Sequence, residues 1–274
     1  MGLVNDSSLY FCPKSETMNS REKQLEALDR LLTIMDELRA QCPWDKKQTM
    51  ESLRYLTIEE TYELGDAILD KDLQEVKKEL GDLLIHIFFY AKIGSETGDF
   101  DIADVSDTIS EKLIQRHPHI YADVSVTDEE DVKRNWEAIK LREGKKSVLE
   151  GVPVSLPALV KANRIQDKAA GVGFDWEEPG QVLEKVKEEL EELNKEIDSG
   201  DQDKIESEFG DVLFSLVNYA RFLKINPENA LERTNKKFIH RFKHLEEKAK
   251  QKGQSLTEMS LEEMDVYWNE AKEL

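Results

Sequence analysis

The sequence predicts an all-α protein built from two tandem helical-bundle repeats, and three observations support this prediction. Apolar residues recur at helical spacing, strand-like alternation is nearly absent, and only 13 Gly and 7 Pro interrupt the 274 residues. In addition, ELGDLLIHIFFYAK at 79–92 returns as EFGDVLFSLVNYAR at 208–221, with six identical residues among fourteen. The offset of 129 residues between the two segments indicates an internal duplication.

The duplication divides the chain into a lead-in (1–20), a first domain (21–141), a linker (142–156) and a second domain (157–274). The linker, REGKKSVLEGVPVSL, contains Gly, Pro and charged residues without apolar periodicity. The apolar spacing predicts helices at about 25–38, 49–69, 73–95 and 104–116, around Trp136, from Pro157 to about 170, and at about 180–198, 202–224, 227–251 and 260–273.

Charge and composition exclude several classes of protein. The 58 acidic and 38 basic residues give a net charge of −20, which disfavours contact with a nucleic-acid backbone. An anionic small ligand remains compatible with this charge if a divalent cation stands between ligand and protein. Residues 1–20 lack a cationic region followed by an apolar stretch, so we expect them not to be a signal peptide, and no apolar run approaches the roughly 18 residues of a membrane span. Cys12 and Cys42 suit reduced cytosolic thiols. We therefore expect a cytoplasmic protein without a membrane or nucleic-acid partner.

Each half contains the pattern E-E-x-x-E on one helix and E-x-x-D on the next. In the first half Glu63 and Glu79 each lie eight residues from Lys71, the centre of the intervening loop, and Glu60 and Asp82 each lie eleven residues from it. Residues equidistant from the turn of an antiparallel helix pair lie at the same height, and acids three residues apart share a helix face. The same arithmetic about Gly200 gives a second set of four acids, Glu189, Glu192, Glu208 and Asp211. We expect four carboxylates to converge in each half.

Four carboxylates at this range repel one another unless they bind a cation or take up protons. Oxygen ligands suit Mg²⁺, with Mn²⁺ as a substitute, and Mg²⁺ commonly shares its coordination with substrate phosphates. A di-iron bundle would carry Glu-x-x-His, which neither half contains. The alternative is a solvated acidic helix face. The repetition of the pattern, and the apolar runs directly after Asp82 and Asp211, favour a metal site.

These and further motifs, in order, resemble the MazG family of tandem-domain nucleoside triphosphate pyrophosphohydrolases, within the all-α NTP pyrophosphatase superfamily. The resemblance covers about residues 20–274 and rests on the following motifs: CPWD (42–45), EETYE, ELGD, RHPH (116–119), NWEAIK (135–140), GFDW (173–176), EELEE, EFGD, NKKFIHRF (235–242) and WNEAK (268–272). It implies hydrolysis between the α- and β-phosphates to nucleoside monophosphate and pyrophosphate, with broad tolerance for the base. It also implies a homodimer, and metal ligation by the four acids of the second half.

The second half also supplies a candidate base and cations for such a reaction. Glu188, beside the pair of acids three residues apart, is our candidate general base. Lys185 lies about one turn before these acids, and Lys237 and Arg241, four residues apart, suit a phosphate clamp. The alternative for each Lys or Arg is an ordinary surface cation.

Three further residues are candidates for substrate contact. Trp268 is expected to stack on the base, with Lys272 one turn beyond it. Asn218, seven residues after Asp211 on the same helix face, is expected to contact the sugar or a phosphate. The alternatives are a core or interface position for Trp268 and a core hydrogen bond for Asn218.

The two halves differ at positions near the acids. The first half has Leu56 and Phe89 at the positions of Lys185 and Asn218, although it retains the pairs Lys112–Arg116 and Trp136–Lys140. Our hypothesis is that the second half carries the main activity. Two other functions stay open from the residues: a narrower house-cleaning enzyme resembling a dUTPase, and a non-catalytic helical protein that binds nucleotide in a regulatory or scaffold role.

Overall fold

The structure, a computed structural model, describes residues 19–128, 131–132, 135–136, 139 and 147–273. The predictions for residues 1–18, which include Cys12, and for Lys140 and residues 142–146 fall outside the described residues. Within those ranges the regular structure is helical and contains no strand, which confirms the all-α prediction. No helix in the described ranges is long and apolar enough to cross a membrane.

The observed helices follow the predicted ones closely. The first part of the chain contains α1 (Arg21–Gln41), a 3-10 turn (Asp45–Lys47), α2 (Met50–Asp70), α3 (Leu73–Thr97), α4 (Ile102–Arg116) and the short α5 (Pro118–Tyr121). The later part contains α6 (Ala158–Ala170), α7 (Pro179–Ser199), α8 (Gln202–Phe222), α9 (Pro227–Gln251), a 3-10 turn (Leu256–Glu258) and α10 (Leu261–Glu270). The described linker residues, 147–156, form turns and no helix.

The chain forms two compact units, one up to Ser110 and one from Glu111 onward. This division falls within α4, whereas the sequence places the boundary at 142–156; that boundary stays a prediction. In the first unit α3 packs against α1 and α2. In the second unit α8 packs against α6 and α7, and α9 contacts α6, α8 and α10.

Both units contain a helix hairpin that turns in the same way. Lys71 and Gly200 end α2 and α7 in the left-handed conformation, with φ of 59° and 73°. The next residue, Asp72 or Asp201, caps the following helix, because its carboxylate accepts hydrogen bonds from backbone N–H groups of the first turn. The predicted turn centres are therefore confirmed, and each hairpin brings its two acid-bearing helices side by side.

Small apolar clusters hold these elements together. In the first unit Met35 of α1, Leu53 of α2 and Phe89 of α3 are almost fully buried against one another. In the second unit Val182 and Val212 are buried on α7 and α8. A separate cluster joins α9 to α10 through Leu245, Ala249, Met259 and Tyr267.

Candidate functional site

Three acids meet in each hairpin. Carboxylate oxygens of Glu60, Glu79 and Asp82 all lie within 4.8 Å of one another in the first unit. In the second unit the same holds for the acids at equivalent positions, Glu189, Glu208 and Asp211. The sequence predicts four acids in each group, and the structure leaves out the last acid of E-E-x-x-E, which is Glu63 or Glu192. We call the two sets the first and second acid groups.

Each acid group reaches into the protein through one buried carboxylate. Glu79 is only 1% exposed, and its Oε2 has no hydrogen-bond donor. Glu189 of the second group is 8% exposed. A buried carboxylate oxygen without a donor is costly, which favours a cation or a proton at this position.

Burial and mutual repulsion change the acidity of both groups. Burial raises the pKa of Glu60, and the negative charges of Asp82 and Glu63 raise it further. Desolvation likewise raises the pKa of Glu208, together with repulsion from Glu192 and other acids of the hairpin. Glu63 and Glu192 therefore act electrostatically on the groups although they lie outside the 4.8 Å sets.

A lysine neutralises part of each acid group, but from opposite helices. Lys185 Nζ, on α7, lies 2.8 Å from Glu189 Oε1 in the second unit. In the first unit the lysine is Lys78 of α3, whose Nζ lies 2.9 Å from Glu79 Oε1 and lowers the pKa of that carboxyl. Comparison of the two halves of the sequence finds Leu56 at the position of Lys185 and does not predict a lysine in the first site. Lys78 could have been found in the same way, because Ser207 is at its position in the second half.

The candidate general base, Glu188, lies outside the second acid group. Its Oε1 accepts a hydrogen bond of 2.9 Å from Lys185 Nζ, and its side chain is 57% exposed. One ammonium group therefore joins Glu188 to Glu189. This arrangement places an accessible carboxylate one residue from the buried acid.

Arg241 of α9 and Trp268 of α10 contact each other, and the remaining predicted cations are Lys237 on α9 and Lys272 just beyond the end of α10. The Arg241 guanidinium lies 5.7 Å from the centroid of the Trp268 ring, and Phe238 packs edge-on against the same ring at 4.9 Å. Lys237 is exposed on α9, and Lys272 Nζ donates to Asn269 Oδ1 at 2.7 Å. Within the described ranges, none of these cations forms an ion pair with the second acid group, so their role as a phosphate clamp stays a prediction.

Asn218 lies in a polar cluster that holds the GFDW segment. Its Oδ1 accepts hydrogen bonds from Arg221 Nε at 3.1 Å and Nη2 at 2.8 Å. The same guanidinium forms a bidentate ion pair with Asp175, in which Nη1 lies 2.8 Å from Oδ2. At the equivalent position of the first unit, Phe89 packs into the core with Met35. The two units therefore differ at this position in structure as well as in sequence, with a hydrogen-bonded amide in one and a core aromatic ring in the other.

Both acid groups have the composition expected of a site for a hard divalent cation. Each offers three carboxylates from two helices and neither His nor Cys. Burial, and then the negative charges of neighbouring acids, raise the pKa of Glu60 and of Glu208. The residues therefore fit Mg²⁺ or Mn²⁺ in their donor chemistry.

Two tandem helix hairpins, each carrying a partly buried acid group, define an all-α protein with a repeated carboxylate site. The sequence profile described as "MazG nucleotide pyrophosphohydrolase domain" matches residues 48–121 and 177–246, which contain both hairpins. The chain belongs to this MazG family.

Relatives extend over almost the whole chain. The nucleoside triphosphate pyrophosphohydrolase of Escherichia coli K12 is 44% identical over 257 residues, covering 90% of this chain and 98% of the relative. The nucleoside triphosphate pyrophosphohydrolase/pyrophosphatase MazG of Thermotoga maritima is 45% identical over 249 residues, covering 89% and 95%. YabN of Bacillus subtilis, named as uncharacterized, is 48% identical over 280 residues, covering all of this chain and 56% of YabN.

A solved structure is also similar in part. The crystal structure of a mazG-related protein from Thermotoga maritima is 25% identical and covers 41% of this chain and 98% of that chain, with a TM-score of 0.37.

Proposed function

We propose that this chain hydrolyses nucleoside triphosphates at the α–β phosphate bond to nucleoside monophosphate and pyrophosphate. The reaction requires Mg²⁺, with Mn²⁺ as a substitute, and takes place mainly in the second unit. The observation that carries this proposal is the second acid group with Lys185 Nζ 2.8 Å from Glu189, which combines metal-type ligands with a cation suited to phosphate. The names of the relatives from E. coli and T. maritima support the reaction class.

The chain's own residues divide the work as follows. Glu189, Glu208 and Asp211 would hold the metal, with Glu192 contributing charge from the next turn of α7. When bound, Mg²⁺ neutralises phosphate charge and polarises the phosphate oxygens. Glu188, exposed and adjacent to Glu189, accepts the proton of the attacking water as general base.

The cations position the triphosphate against this acidic surface. Lys185 contacts both Glu188 and Glu189, so it is the cation beside the reacting phosphates. Lys237 and Arg241 bind the outer phosphates from α9, which packs on α6 and α8. Trp268 of α10 and Lys272, just beyond its end, complete the substrate contacts. Because a net charge of −20 repels a free triphosphate, these cations and the metal are all required for binding.

Product analysis tests the reaction. Purified protein is incubated with each NTP and dNTP, with and without Mg²⁺, and the products are separated by ion exchange. We expect monophosphate and pyrophosphate, only with the metal and with little dependence on the base. Glu189→Gln protein purified in the same way is the control for contaminating phosphatases. Diphosphate with orthophosphate, or turnover without a divalent metal, would contradict the proposal.

We also propose that the protein is a cytoplasmic homodimer without a nucleic-acid or membrane partner. Phe209, Leu213 and Leu216 lie exposed along one face of α8, and Leu80 and Ile87 are exposed at equivalent positions of α3. A contiguous apolar stripe is typical of a protein–protein interface. Light scattering that gives the mass of one chain, 31.6 kDa, would contradict the dimer.

A further inference from the structure

The last helix, α10, has only ten residues, and a helix this short depends on tertiary contacts for its position. An apolar cluster provides the first of these contacts. In it Leu245 and Ala249 of α9 are buried against Met259 and Tyr267. Because apolar attraction is non-directional, directional contacts beside this cluster contribute to the rotation of α10 about its own axis.

Two side chains flank the buried face of α10. Tyr267 is 7% exposed and lies at the centre of this face. At 3.6 residues per turn, Trp268 lies about 100° to one side of Tyr267 and Glu270 about 60° to the other. Trp268 packs edge-on against Phe238, and the Arg241 guanidinium lies over its ring. A rotation of α10 that moves Glu270 away from α9 therefore also moves the Trp268 ring relative to Arg241.

The Glu270 carboxylate contacts two side chains of α9. Its Oε1 lies 2.5 Å from Lys248 Nζ, and this ion pair lowers the pKa of the Glu270 carboxyl. The same oxygen lies 3.5 Å from His244 Nε2, a buried nitrogen that has no hydrogen-bond partner. His244 and Lys248 follow Arg241 by three and seven residues, so all three lie along nearly one face of α9. One acid of α10 is therefore bound to the face of α9 that carries Arg241.

The residues of this ion pair occur in the second half of the sequence and have no counterpart in the first. When the halves are aligned on their Lys–Arg pairs, Asp123 is at the position of Lys248. When they are aligned on the tryptophans that follow, Ala138 is at the position of Glu270. The pair is thus restricted to the half in which we propose the main activity.

We propose that Glu270 is a positioning residue for nucleotide binding, because its ion pair with Lys248 fixes the rotation of α10 and so holds Trp268 against Arg241. This inference rests on the proposed function, in which Trp268 and Arg241 contact the nucleotide. It gives a role to Glu270 and Lys248, neither of which the sequence singles out. Glu270 acts through Trp268 and does not itself touch the substrate.

Charge reversal tests this role. Glu270→Lys places an ammonium group beside Lys248, so repulsion replaces attraction between α9 and α10. We expect α,β-methylene-ATP with Mg²⁺ to bind about five- to tenfold more weakly in calorimetry, the combined effect of a lost ion pair and a new like-charge pair. The double variant Lys248→Glu with Glu270→Lys restores an ion pair at the wild-type net charge. It should bind the same ligand within about twofold of wild type.

Asp265→Lys is the matched control, because Asp265 is an exposed acid on the opposite face of α10 and the change in charge is the same. This variant should bind the ligand at least as tightly as wild type, since added positive charge attracts a triphosphate. In turnover assays Glu270→Lys should raise KM and leave kcat nearly unchanged, because an interaction that serves binding is lost. Partial unfolding would instead lower the apparent kcat and leave KM unchanged.

A fluorescence measurement separates this inference from the proposed reaction. Acrylamide quenching of Trp268, taken as the difference between each protein and its Trp268→Phe counterpart, reports the exposure of the ring without any nucleotide. Quenching should increase in Glu270→Lys and return toward the wild-type value in the double variant. Equal binding by wild type and Glu270→Lys, or a folded double variant that does not recover, would overturn the inference and leave the hydrolase intact. The expected binding and quenching without turnover would support the positioning role and contradict the hydrolase.

Discussion

Two buried side-chain oxygen atoms without a hydrogen-bond donor stand out at the scale of residues. Glu79 Oε2 in the first unit and Gln166 Oε1 in the second are both buried without a hydrogen-bond partner. The other polar atom of each side chain has a partner. Glu79 Oε1 accepts a hydrogen bond from Lys78 Nζ, and Gln166 Nε2 donates one to the backbone oxygen of Phe214. The chemistry each atom lacks is different, a cation or proton at the carboxylate and an N–H at the amide.

The raised pKa of Glu208 predicts a pH-dependent stability in metal-free protein. A carboxyl whose pKa is raised by folding stabilises the fold while it is protonated. This contribution is present below the unfolded pKa, near 4.3, and is lost as the pH rises through the folded pKa. In chelator, Glu208→Gln should therefore melt at a higher temperature than wild type at pH 8, and the difference should shrink as the pH falls toward 5.

Glu206→Gln is the matched control, an exposed acid two residues away on the same helix. It should produce no pH-dependent difference of this kind. Addition of Mg²⁺ should reverse the order at pH 8, because the wild-type carboxylate then gains a cation. A melting difference for Glu208→Gln that is independent of pH would show that repulsion within the acid group is not its cause.

At the scale of elements, the two hairpins reach the same turn with different residues. Lys71 has a φ of 59° and Gly200 a φ of 73°. A side chain with a Cβ is strained in this left-handed conformation by about 1–2 kcal/mol, whereas glycine adopts it freely. The aspartate that follows each residue caps the next helix, so the turn is retained in both units.

Lys71→Gly should therefore raise the free energy of unfolding of the first unit by about 0.5–1 kcal/mol, after the larger backbone entropy of unfolded glycine is allowed for. Lys71→Ala keeps a Cβ and serves as the control for loss of charge. Gly200→Ala should lower the free energy of unfolding of the second unit by roughly 1 kcal/mol. Urea denaturation followed by circular dichroism measures these changes. A gain for Lys71→Ala equal to that for Lys71→Gly would contradict the strain.

At the scale of the whole molecule, the duplication has produced two acid groups with different surroundings. The lysine comes from α3 in the first unit and from α7 in the second. The position of Asn218, whose Oδ1 accepts hydrogen bonds from Arg221, is occupied by the core residue Phe89 in the first unit. Both units offer carboxylates of the kind that bind a hard cation, and we propose that the nucleotide is bound mainly in the second.

Alanine substitutions should separate the two units. Glu189→Ala is expected to lower kcat/KM for ATP by roughly a hundredfold or more, because loss of a metal ligand removes several kcal/mol of stabilisation of the transferring phosphate. Glu60→Ala, the equivalent change in the first unit, should leave most of the turnover. Steady-state kinetics with Mg²⁺ tests this, with thermal melting to show that both variants fold. Loss of turnover in Glu60→Ala with retention in Glu189→Ala would reverse the assignment.

The local regularities of the sequence were sufficient for the helices and the repeat. The predicted ranges 73–95 and 227–251 compare with Leu73–Thr97 and Pro227–Gln251. Apolar periodicity and capping residues act within a few residues along the chain, so they are readable without a tertiary structure. The equidistance argument about Lys71 and Gly200 placed acids of neighbouring helices near one another, but it paired Glu79 and Glu208 with Glu63 and Glu192, which lie outside the observed groups.

The tertiary structure decided which side chains meet, because helix packing fixes the rotation of each helix about its own axis. Three acids of each hairpin come together, whereas Glu63 and Glu192 lie outside these groups. It also joins Gln166 to Phe214 and Arg221 to Asp175, pairs separated by 48 and 46 residues. Such contacts depend on how apolar faces of different helices interlock, which spacing along one helix does not specify. The acid pattern was therefore visible in the sequence, whereas the contacts of α8 with α6 and with the GFDW segment exist only in the folded second unit.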